Sequence, residues 1–291
     1  MMKTDPRQHQ LFQRFALTAL KQTSSGMLPV PYHIYDGHAT FIGGTAALGP
    51  IRDLLTTERV HAVETSDGHA LAGIWVINAT DASLGPHQEL QFSILVSRQP
   101  LPKVAPHPFI LLSLLQTHPG VRLFCHGLWN DSEPVVAYNR EILGLDAHLM
   151  HGTIERHAEQ HEQLFAFTDL SGDRIFSGTV YEAARTPTTA VIPLLRLMGV
   201  RHFIQAFRAP WLASQVMNPI GLLPINAEAQ AYILNDRQVL RLFDPATDRL
   251  EFAHPTYRAL QFRGQFTEHM MGFKFVYLNV HNAGDIPYAP A

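Results

Sequence analysis

Short segments rich in β-branched and aromatic residues recur along most of the chain and alternate with turn sequences. Apolar and polar positions alternate within several of them, as is typical of strands in a sheet. Turn residues at 66–68, 171–173 and 235–236 separate some of these segments. The predicted strands span residues 69–79, 89–97, 121–128, 161–168, 174–182, 201–208, 238–243 and 273–281.

Helical patterns are short and do not alternate regularly with the strands. Helices are predicted over 50–57, over about 109–117, and over 133–143, where Ser132 can cap the helix. This order argues against a doubly wound parallel sheet and favours a mainly antiparallel α+β fold that is curled or closed. The proline-rich segment 99–108 is interpreted as a rigid loop within one domain.

Residues 1–28 are predicted to form an N-terminal amphipathic helix, with Asp5 as its N-cap and Pro6 in its first turn. The helix would dock on its own domain or, alternatively, contact a second copy. Polar residues interrupt every apolar run, so no secretory signal is indicated and a cytoplasmic location is expected. No stretch approaches about 20 apolar residues, so no membrane span is expected. The apolar face of the predicted helix comprises Leu11, Phe12, Phe15, Ala16, Ala19 and Leu20.

Composition narrows the functional classes. The 291 residues are 46% hydrophobic and 16% charged, with a net charge of −3, so no nucleic-acid-binding surface is expected. The only cysteine, Cys125, excludes an internal disulfide framework and a cysteine-based zinc cluster. Histidines are abundant, at 17, whereas there are only four lysines.

Common catalytic and cofactor motifs are absent. The chain has no glycine-rich phosphate loop, no nucleophile elbow and no H-E-x-x-H motif, so no cofactor is predicted. His157 and His161 could share a metal if they lay on a helix. A solvated turn or loop is the favoured interpretation, because no apolar residue there would bury a metal site.

Two segments, residues 81–90 and 130–149, carry a resemblance to a known family. The first reads D-A-S-L-G-P-H-Q-E-L, and the second contains E-P-V-V-A-Y-N-R-E followed by D-A-H-L. They resemble, in order and spacing, the D-x-S-x-L-G-x-Y-x-E and N-E-P-A-I-A-x-G-R-E segments of the acetoacetate decarboxylase family, over roughly residues 30–185. The resemblance implies a single domain over 29–291, a largely antiparallel β-barrel around an apolar pocket, and a homo-oligomer.

The lysine on which the family's chemistry depends is missing at the matching position. In the family, the first lysine of a Lys-Lys pair forms a Schiff base with a β-keto acid. Ala147 and His148 match that pair, and alanine cannot form an imine. Lys274, in a strand that reads as buried, could have taken over this role. Alternatively, it is a strand-end lysine whose ammonium group reaches water.

An acidic residue of the family pocket is retained. Glu89 matches the family's substrate-facing glutamate, and strand alternation places it on one face with Gln91 and Ser93. That face meets either solvent or a cavity, and the resemblance favours the cavity. The family's arginine falls at Gly37 or His38.

An aromatic residue and several histidines would remodel the pocket. Trp75 falls at the family's second pocket glutamate, while His87 and His126 lie in or beside the matched segments. With Glu89, His148 could form an acid–base pair, since imidazole titrates near neutral pH. A facial histidine/carboxylate metal site is a further alternative, although no metal is predicted.

The predicted function is that of a lyase- or isomerase-type enzyme acting on a small oxo or enol acid, or on a secondary-metabolite carbonyl compound. Glu89 and His148 are the predicted catalytic residues, working by acid–base chemistry without a Schiff base. The predicted substrate-binding residues are His87, His126, Trp75 and His38. The alternatives are a non-catalytic small-ligand-binding protein and, less favoured, a decarboxylase that uses Lys274. The expected partner is a small molecule, neither nucleic acid nor membrane.

Overall fold

A computed structural model of the protein describes residues 5–208, 211–217, 227–278 and 281–282, with side chains over 5–203 and 228–278. Within these residues the helical elements are a 3-10 turn at Pro6–Gln8, α1 (Gln10–Arg14), α2 (Leu48–Leu54), α3 (Ile110–Thr117), α4 (Glu133–Glu141), α5 (Thr188–Arg208) and α6 (Pro255–Ala259). The first nine strands are β1 (Ala19–Thr23), β2 (Gly26–Val30), β3 (Tyr32–Ala47), β4 (His61–Ala62), β5 (His69–Ala82), β6 (His87–Ser97), β7 (Val121–Asn130), β8 (Ala147–Leu149) and β9 (His151–His157). The others are β10 (Glu162–Thr168), β11 (Arg174–Tyr181), β12 (Trp211–Met217), β13 (Ala227–Leu234), β14 (Arg237–Leu242), β15 (Arg249–Phe252), β16 (Arg263–Met271), β17 (Lys274–Tyr277) and β18 (His281–Asn282).

Most strands belong to one large, mainly antiparallel sheet. Its main path runs β14-β16-β3-β17-β13-β12-β7-β6-β4, and β5 pairs with both β3 and β6. A four-stranded sheet, in the order β15-β11-β10-β9, and the β1–β2 hairpin complete the strand structure. The predicted α+β class with mainly antiparallel pairing is therefore confirmed.

The barrel predicted from the sequence is not supported. The large sheet curls, but regular ladders do not close it. The parallel pairing of β12 with β7 comprises only Val216 with Leu123 and Met217 with Phe124. In addition, β16 and β14 branch from the same side of β3 as β17. The sheet can branch there because β3 has irregular pairing with β5 between Ile34 and Gly37, which changes the strand's direction.

Both faces of the large sheet are buried. The inner face packs with α3, α4 and the start of α5 in one core, which includes Phe41, Trp75 and Tyr138. The outer face packs against the four-stranded sheet, α2 and α6 in a second core, which includes Phe92 and Phe165. Side chains that alternate along a central strand thus enter one core or the other, and neither set reaches bulk water.

The long N-terminal helix is a wrong prediction. The helical part ends at Arg14, and residues 19–30 form the β1–β2 hairpin, in which Gly26 directly follows the two-residue turn and has a φ of 107°. Leu11 and Phe12 are buried against the domain, but Leu20 is 60% exposed. The β-branched Thr18 and Thr23 and the turn at Gly26 favour a hairpin, which interrupts the expected helical stripe. Asp5 does cap the preceding 3-10 turn.

Residues 201–208 are helical and were wrongly predicted as a strand. They form the last part of α5, beyond a break at Gly199, where φ is 76°. Short apolar runs fit a strand or a buried helix equally well, and packing decides between them. The three predicted helices and the other predicted strands are present, although β17 ends at Tyr277 and residues 279–280 lie outside the described part. No helix in the described ranges is long and apolar enough to cross a bilayer.

A glycine in the large sheet leaves room for an aromatic ring on the inner face of the sheet. A Cβ atom at Gly73 would overlap the Phe41 ring, which packs against Trp75 with 4.5 Å between ring centroids. By contrast, a Cβ atom at Gly49, in α2, would meet no atom within 4 Å. The Phe41–Trp75 contact therefore depends on the missing side chain at Gly73.

We expect Gly73→Ala to lower the free energy of unfolding by about 1–3 kcal/mol, because the added methyl group displaces the Phe41 ring. Gly49→Ala is the matched control and should change the free energy of unfolding by at most about 0.5 kcal/mol, since the added methyl group meets no atom within 4 Å. Chemical denaturation measures both changes. Equal effects of the two substitutions would contradict this account of the packing.

Strand β16 carries a carboxyl group in the interior of the protein. Glu268 is fully buried, and one of its oxygens accepts a hydrogen bond from the Gln238 side chain. Its Oε2 atom is sealed from solvent and has no partner among the described residues. Burial raises the pKa of Glu268 to about 8, and the hydrogen bond from Gln238 opposes this shift. Glu268 is therefore mainly protonated in the folded protein at neutral pH.

Glu268→Gln should stabilise the protein increasingly as the pH rises. The unfolded carboxyl ionises above its ordinary pKa, whereas the folded one ionises only near its raised value, so wild-type stability falls across this interval. We expect the variant to gain about 1–4 kcal/mol over the wild type at pH 8, and little at pH 4. Urea denaturation across this range, with the exposed-site variant Glu155→Gln as control, measures the difference. A gain independent of pH would contradict the assignment.

Candidate functional site

An apolar cavity lies inside the curl of the large sheet. Its space not filled by atoms, including the mouth, is about 390 Å³. Strands β5, β6, β7, β13 and β17 supply the walls, which carry one carboxyl group, one amide and one phenol. The lining residues are Trp75, Ile77, Glu89, Gln91, Leu123, Ala231, Ile233, Phe273, Phe275 and Tyr277.

Alternation along β6 explains why a polar face lines this cavity. Glu89 and Gln91 point to the inner side of the sheet, while Leu90 and Phe92 belong to the outer core. Because the four-stranded sheet covers that outer face, the polar residues of β6 face the cavity. The sequence-based choice of a cavity over solvent for Glu89 agrees with this placement.

The Glu89 carboxyl group is held by two asparagines. Asn130, its neighbour across β7, donates from Nδ2 to Glu89 Oε2 at 2.9 Å. Asn139, on α4, donates in turn to Asn130 Oδ1 at 3.1 Å. All three side chains are buried, and Glu89 Oε1 has no hydrogen-bond partner among the described residues. One carboxyl oxygen is thus anchored and the other is left for a ligand.

Burial changes the acidity of Glu89. It raises the pKa of the carboxyl to about 7, and the hydrogen bond from Asn130 opposes the shift by favouring the charged form. An acid with a pKa near the operating pH can both accept and return a proton. Glu89 is therefore equipped for acid–base chemistry inside an apolar cavity.

Two other polar side chains line the cavity. Gln91 donates from Nε2 to Ser93 Oγ at 2.6 Å, which leaves its amide oxygen as an acceptor. The Tyr277 hydroxyl makes no hydrogen bond to any described residue. Burial is the main cause that raises the pKa of Tyr277 well above its usual value, so its hydroxyl stays protonated.

None of the described lysines lines the cavity. Lys274 lies on β17 between Phe273 and Phe275, which face the cavity, so its own side chain points to the opposite face. Its Nζ atom donates to Asp236 Oδ1 at 2.8 Å and to the Gly272 carbonyl at 3.0 Å. The alternative of a relocated Schiff base at Lys274 is thus unsupported by the geometry. Lys3 lies outside the described residues, and Lys21 and Lys103 are exposed.

The predicted pairing of Glu89 with His148 is not formed. Strand β8 points Ala147 into the inner core, where it is fully buried, and points the next residue, His148, the other way. His148 contacts Asp146 Oδ1 through Nε2 at 2.9 Å, with 48% of its side chain exposed. Its ring lies 6.2 Å from that of Trp129, a residue of the outer core.

The other three predicted histidines also lie outside the cavity lining. His87 is buried between the Gly85 carbonyl, 3.0 Å from Nδ1, and the Tyr32 hydroxyl, which donates to Nε2 at 2.7 Å. His126 forms a hydrogen bond through Nδ1 with the hydroxyl of Tyr257, a residue of the outer core, at 3.1 Å.

His38 is positioned by a different set of neighbours. It is half-buried, and burial lowers its pKa, with a smaller contribution from the charge of Arg156. Glu182, which forms an ion pair with Arg156, also acts on it electrostatically. The predicted substrate-binding roles of His38, His87 and His126 therefore have no support in the cavity's geometry, whereas Trp75 does line the cavity.

The structure places the histidine pair at 157 and 161 around a hairpin turn. His157 ends β9, and His161 lies in the turn before β10, with φ 55°. Both residues are exposed, in agreement with the favoured interpretation of a solvated turn. Across the described ranges, no three histidine, cysteine, aspartate or glutamate side chains are grouped so that they could hold a metal ion.

Sequence reasoning missed the aromatic wall formed by β17 and the two asparagines behind Glu89. Phe273, Phe275 and Tyr277 alternate with other residues, a pattern that marks one face of a strand but not what the face meets. Asn130 lies 41 positions from Glu89, and Asn139 lies nine further along the chain, so only strand pairing brings the three together.

Comparison with solved structures gives the fold. Acetoacetate decarboxylase from Legionella pneumophila superimposes with a TM-score of 0.54 at 12% identity, over 96% of this chain and 97% of that chain. A second structure of acetoacetate decarboxylase gives 0.54 at 13% identity, over 86% and 88%. The enduracididine biosynthesis enzyme MppR, in complex with pyruvate, gives 0.51 at 11% identity, over 90% and 94%.

The chain therefore has the fold of acetoacetate decarboxylase and similar enzymes, which confirms the resemblance at the level of fold. No protein-family model matches the chain, and no curated protein sequence matches it.

Replacing Asn130 should raise the pKa of Glu89 further. Asn130→Ala removes the donor that stabilises the carboxylate, and we expect an upward shift of about one unit or more. Asn139→Ala should have a smaller effect in the same direction, because it acts only through the orientation of Asn130. Infrared difference spectroscopy of the protonated carboxyl, as a function of pH, measures the shift. A lower pKa in Asn130→Ala would refute the assigned hydrogen bond.

Proposed function

We propose that this chain, with the fold of acetoacetate decarboxylase, is an enzyme that transfers a proton at the carbon next to a carbonyl group. Glu89 is the acid–base group, and no Schiff base is formed. The observation that carries this proposal is the buried Glu89 carboxyl, which lines the cavity, whose pKa is raised to about 7 and whose Oε1 atom has no hydrogen-bond partner among the described residues.

The chemical step begins with ionised Glu89 and a carbonyl compound in the cavity. Glu89 Oε1 removes the proton from the carbon next to the carbonyl, and the C–H electron pair becomes the double bond of an enolate. Return of the proton to a different carbon of a conjugated enolate gives an isomer. Alternatively, a hydroxyl group on the next carbon takes the proton back from Glu89 and leaves as water, which gives dehydration. The anchored Oε2 atom keeps the carboxyl group in one orientation throughout.

The position matched to the Schiff-base lysine supports an imine-free reaction. Ala147 is fully buried and packs in the inner core, and alanine cannot form an imine. Lys274, the described lysine nearest in sequence to the cavity's aromatic wall, is held on the opposite face by Asp236. Acid–base chemistry at Glu89 therefore replaces covalent catalysis in this proposal.

The proposed substrate is a small carbonyl compound, such as an oxo or enol acid or a secondary-metabolite intermediate. One neighbour with the same fold, MppR, was solved in complex with pyruvate, a small oxo compound. The cytoplasmic location and the homo-oligomer stay predictions.

Deuterium incorporation next to the carbonyl tests the proposal directly. In D₂O, proton NMR of a panel of oxo acids, oxo esters and aryl ketones should show exchange catalysed by the wild-type protein. Glu89→Gln should slow it by about 100-fold or more. Glu268→Gln, which alters another buried carboxyl group outside the cavity, should leave the rate unchanged. The wild-type rate should rise with pH through a midpoint near 7, as Glu89 ionises.

The alternatives give different results in the same experiment. Exchange at the wild-type rate in Glu89→Gln would overturn the proposed role of Glu89. Binding without exchange, with affinity kept in that variant, would identify a non-catalytic binding protein.

Borohydride reduction in the presence of β-keto acids tests the absence of a Schiff base. We expect no stable adduct on any of the four lysines, as read by intact-protein mass and peptide mapping. An imine-forming enzyme trapped under the same conditions serves as the positive control. An adduct on Lys274 would restore imine chemistry and refute this part of the proposal.

A further inference from the structure

An enolate needs a group that stabilises the charge developing on its oxygen. In a reaction without an imine, this stabilisation must come from hydrogen-bond donors already in place in the cavity. The inference of such a donor rests on the proposed function, and the polar side chains of the cavity are the candidates.

Tyr277 presents an unused donor at the cavity wall. Its ring is fixed edge-on against Phe275, with ring centroids 4.4 Å apart, and lies 6.5 Å from the ring of Tyr32. Its hydroxyl makes no hydrogen bond to a described residue and is not among the polar atoms sealed from solvent. Tyr277 thus lines the cavity with a hydroxyl group that has no hydrogen-bond partner among the described residues.

Several other donors near the cavity are engaged or sealed off. The Tyr32 hydroxyl donates to His87, and Gln91 donates one amide proton to Ser93. The Tyr138 hydroxyl is buried without a partner among the described residues, and this residue does not line the cavity. Among the described cavity residues, Tyr277 therefore carries the hydroxyl donor that a ligand oxygen can use, beside the indole N–H of Trp75 and the second amide proton of Gln91.

Tyr277 and Glu89 line the same cavity, so the two groups can serve one substrate. Burial is the main cause that raises the pKa of Tyr277, and the charge of Glu89 contributes in the same direction. A phenol that remains protonated next to a carboxylate supplies a hydrogen bond without adding a second negative charge. This is the electrostatic arrangement that an enolate oxygen requires.

The side chains that line the cavity determine which class of carbonyl compound it can bind. Trp75, Phe273 and Phe275 give a predominantly aromatic lining, and no cationic residue is among the described lining residues. A ligand carboxylate would find no countercharge there and would be repelled by ionised Glu89. An aromatic compound whose carbonyl group is its main polar feature avoids both penalties.

We propose that the cavity takes an uncharged aromatic carbonyl compound and that the Tyr277 hydroxyl donates a hydrogen bond to its carbonyl oxygen. As Glu89 removes the neighbouring proton, the C–H pair forms the C=C bond and the C=O π electrons move to the oxygen. That oxygen remains hydrogen-bonded to Tyr277, whose O–H bond stays intact. The proton returns from Glu89, so the step needs no further reactant.

Binding of benzoylacetone, an uncharged aromatic diketone, tests this proposal independently of turnover. Isothermal titration calorimetry should show that Tyr277→Phe weakens binding by about 5- to 30-fold, the effect of one hydrogen bond to a ligand oxygen. Tyr232→Phe is the matched control. Tyr232 is on the neighbouring strand β13 and stacks on Phe15 on the opposite face, so the Tyr232→Phe variant should bind benzoylacetone as the wild type does. Benzoylacetate, the carboxylate counterpart, should bind the wild type at least about tenfold more weakly.

Three results would overturn the proposal: wild-type affinity in Tyr277→Phe, equal affinity for benzoylacetone and benzoylacetate, or no binding of benzoylacetone by the wild type. The deuterium-exchange rate separates this proposal from the proposed function. Tyr277→Phe should slow exchange by about 100-fold at saturating ligand, whereas Glu89→Gln should lose exchange but keep benzoylacetone affinity. If the wild type binds through Tyr277 but shows no exchange, the enzymatic proposal fails and the ligand contact stands.

Discussion

Glu89 keeps its carboxyl group inside the curled sheet through one hydrogen bond from Asn130, and this contact depends on β6 being covered on both faces. If the outer face met water, the alternation of β6 would turn its polar residues to solvent and its apolar residues inward. The four-stranded sheet instead covers Leu90 and Phe92, so Glu89 faces an enclosed apolar space. Burial and the asparagine contact then act in opposite directions on its pKa.

The proposed function keeps the cavity of this fold and changes the chemistry that is carried out in it. Alanine occupies the inward-facing position on β8, so covalent catalysis has no nucleophile there. What remains is a carboxyl group that titrates near neutral pH, a phenol that stays protonated, and aromatic walls. These groups are suited to moving a proton and holding an oxygen, and the aromatic walls favour ligands without charge.

Two residues that the family resemblance placed in the pocket, Glu89 and Trp75, do line the cavity. Sequence reasoning failed for the histidines because adjacency in sequence does not give a common face: His148 follows the inward-facing Ala147 and so points outward. It also did not predict β3 as a strand, because Gly43 and Gly44 weaken the strand pattern there. The structure shows why glycine stands at position 43: a Cβ atom there would overlap the Phe266 ring. The N-terminal helix failed because a helical stripe over 11–20 carries no information about the hairpin that follows.

The sequence by itself determined the mainly antiparallel α+β class, the strands β5, β6 and β7, and the polar face that Glu89 shares with Gln91, because period-two patterns and turn residues are local properties. Only the tertiary structure decided that both faces of the sheet are buried and that Asn130 and Asn139 hold Glu89. It also placed Tyr277, from the far end of the chain, in the same cavity. These features depend on strand pairing and on the packing of distant segments, which local sequence patterns do not encode.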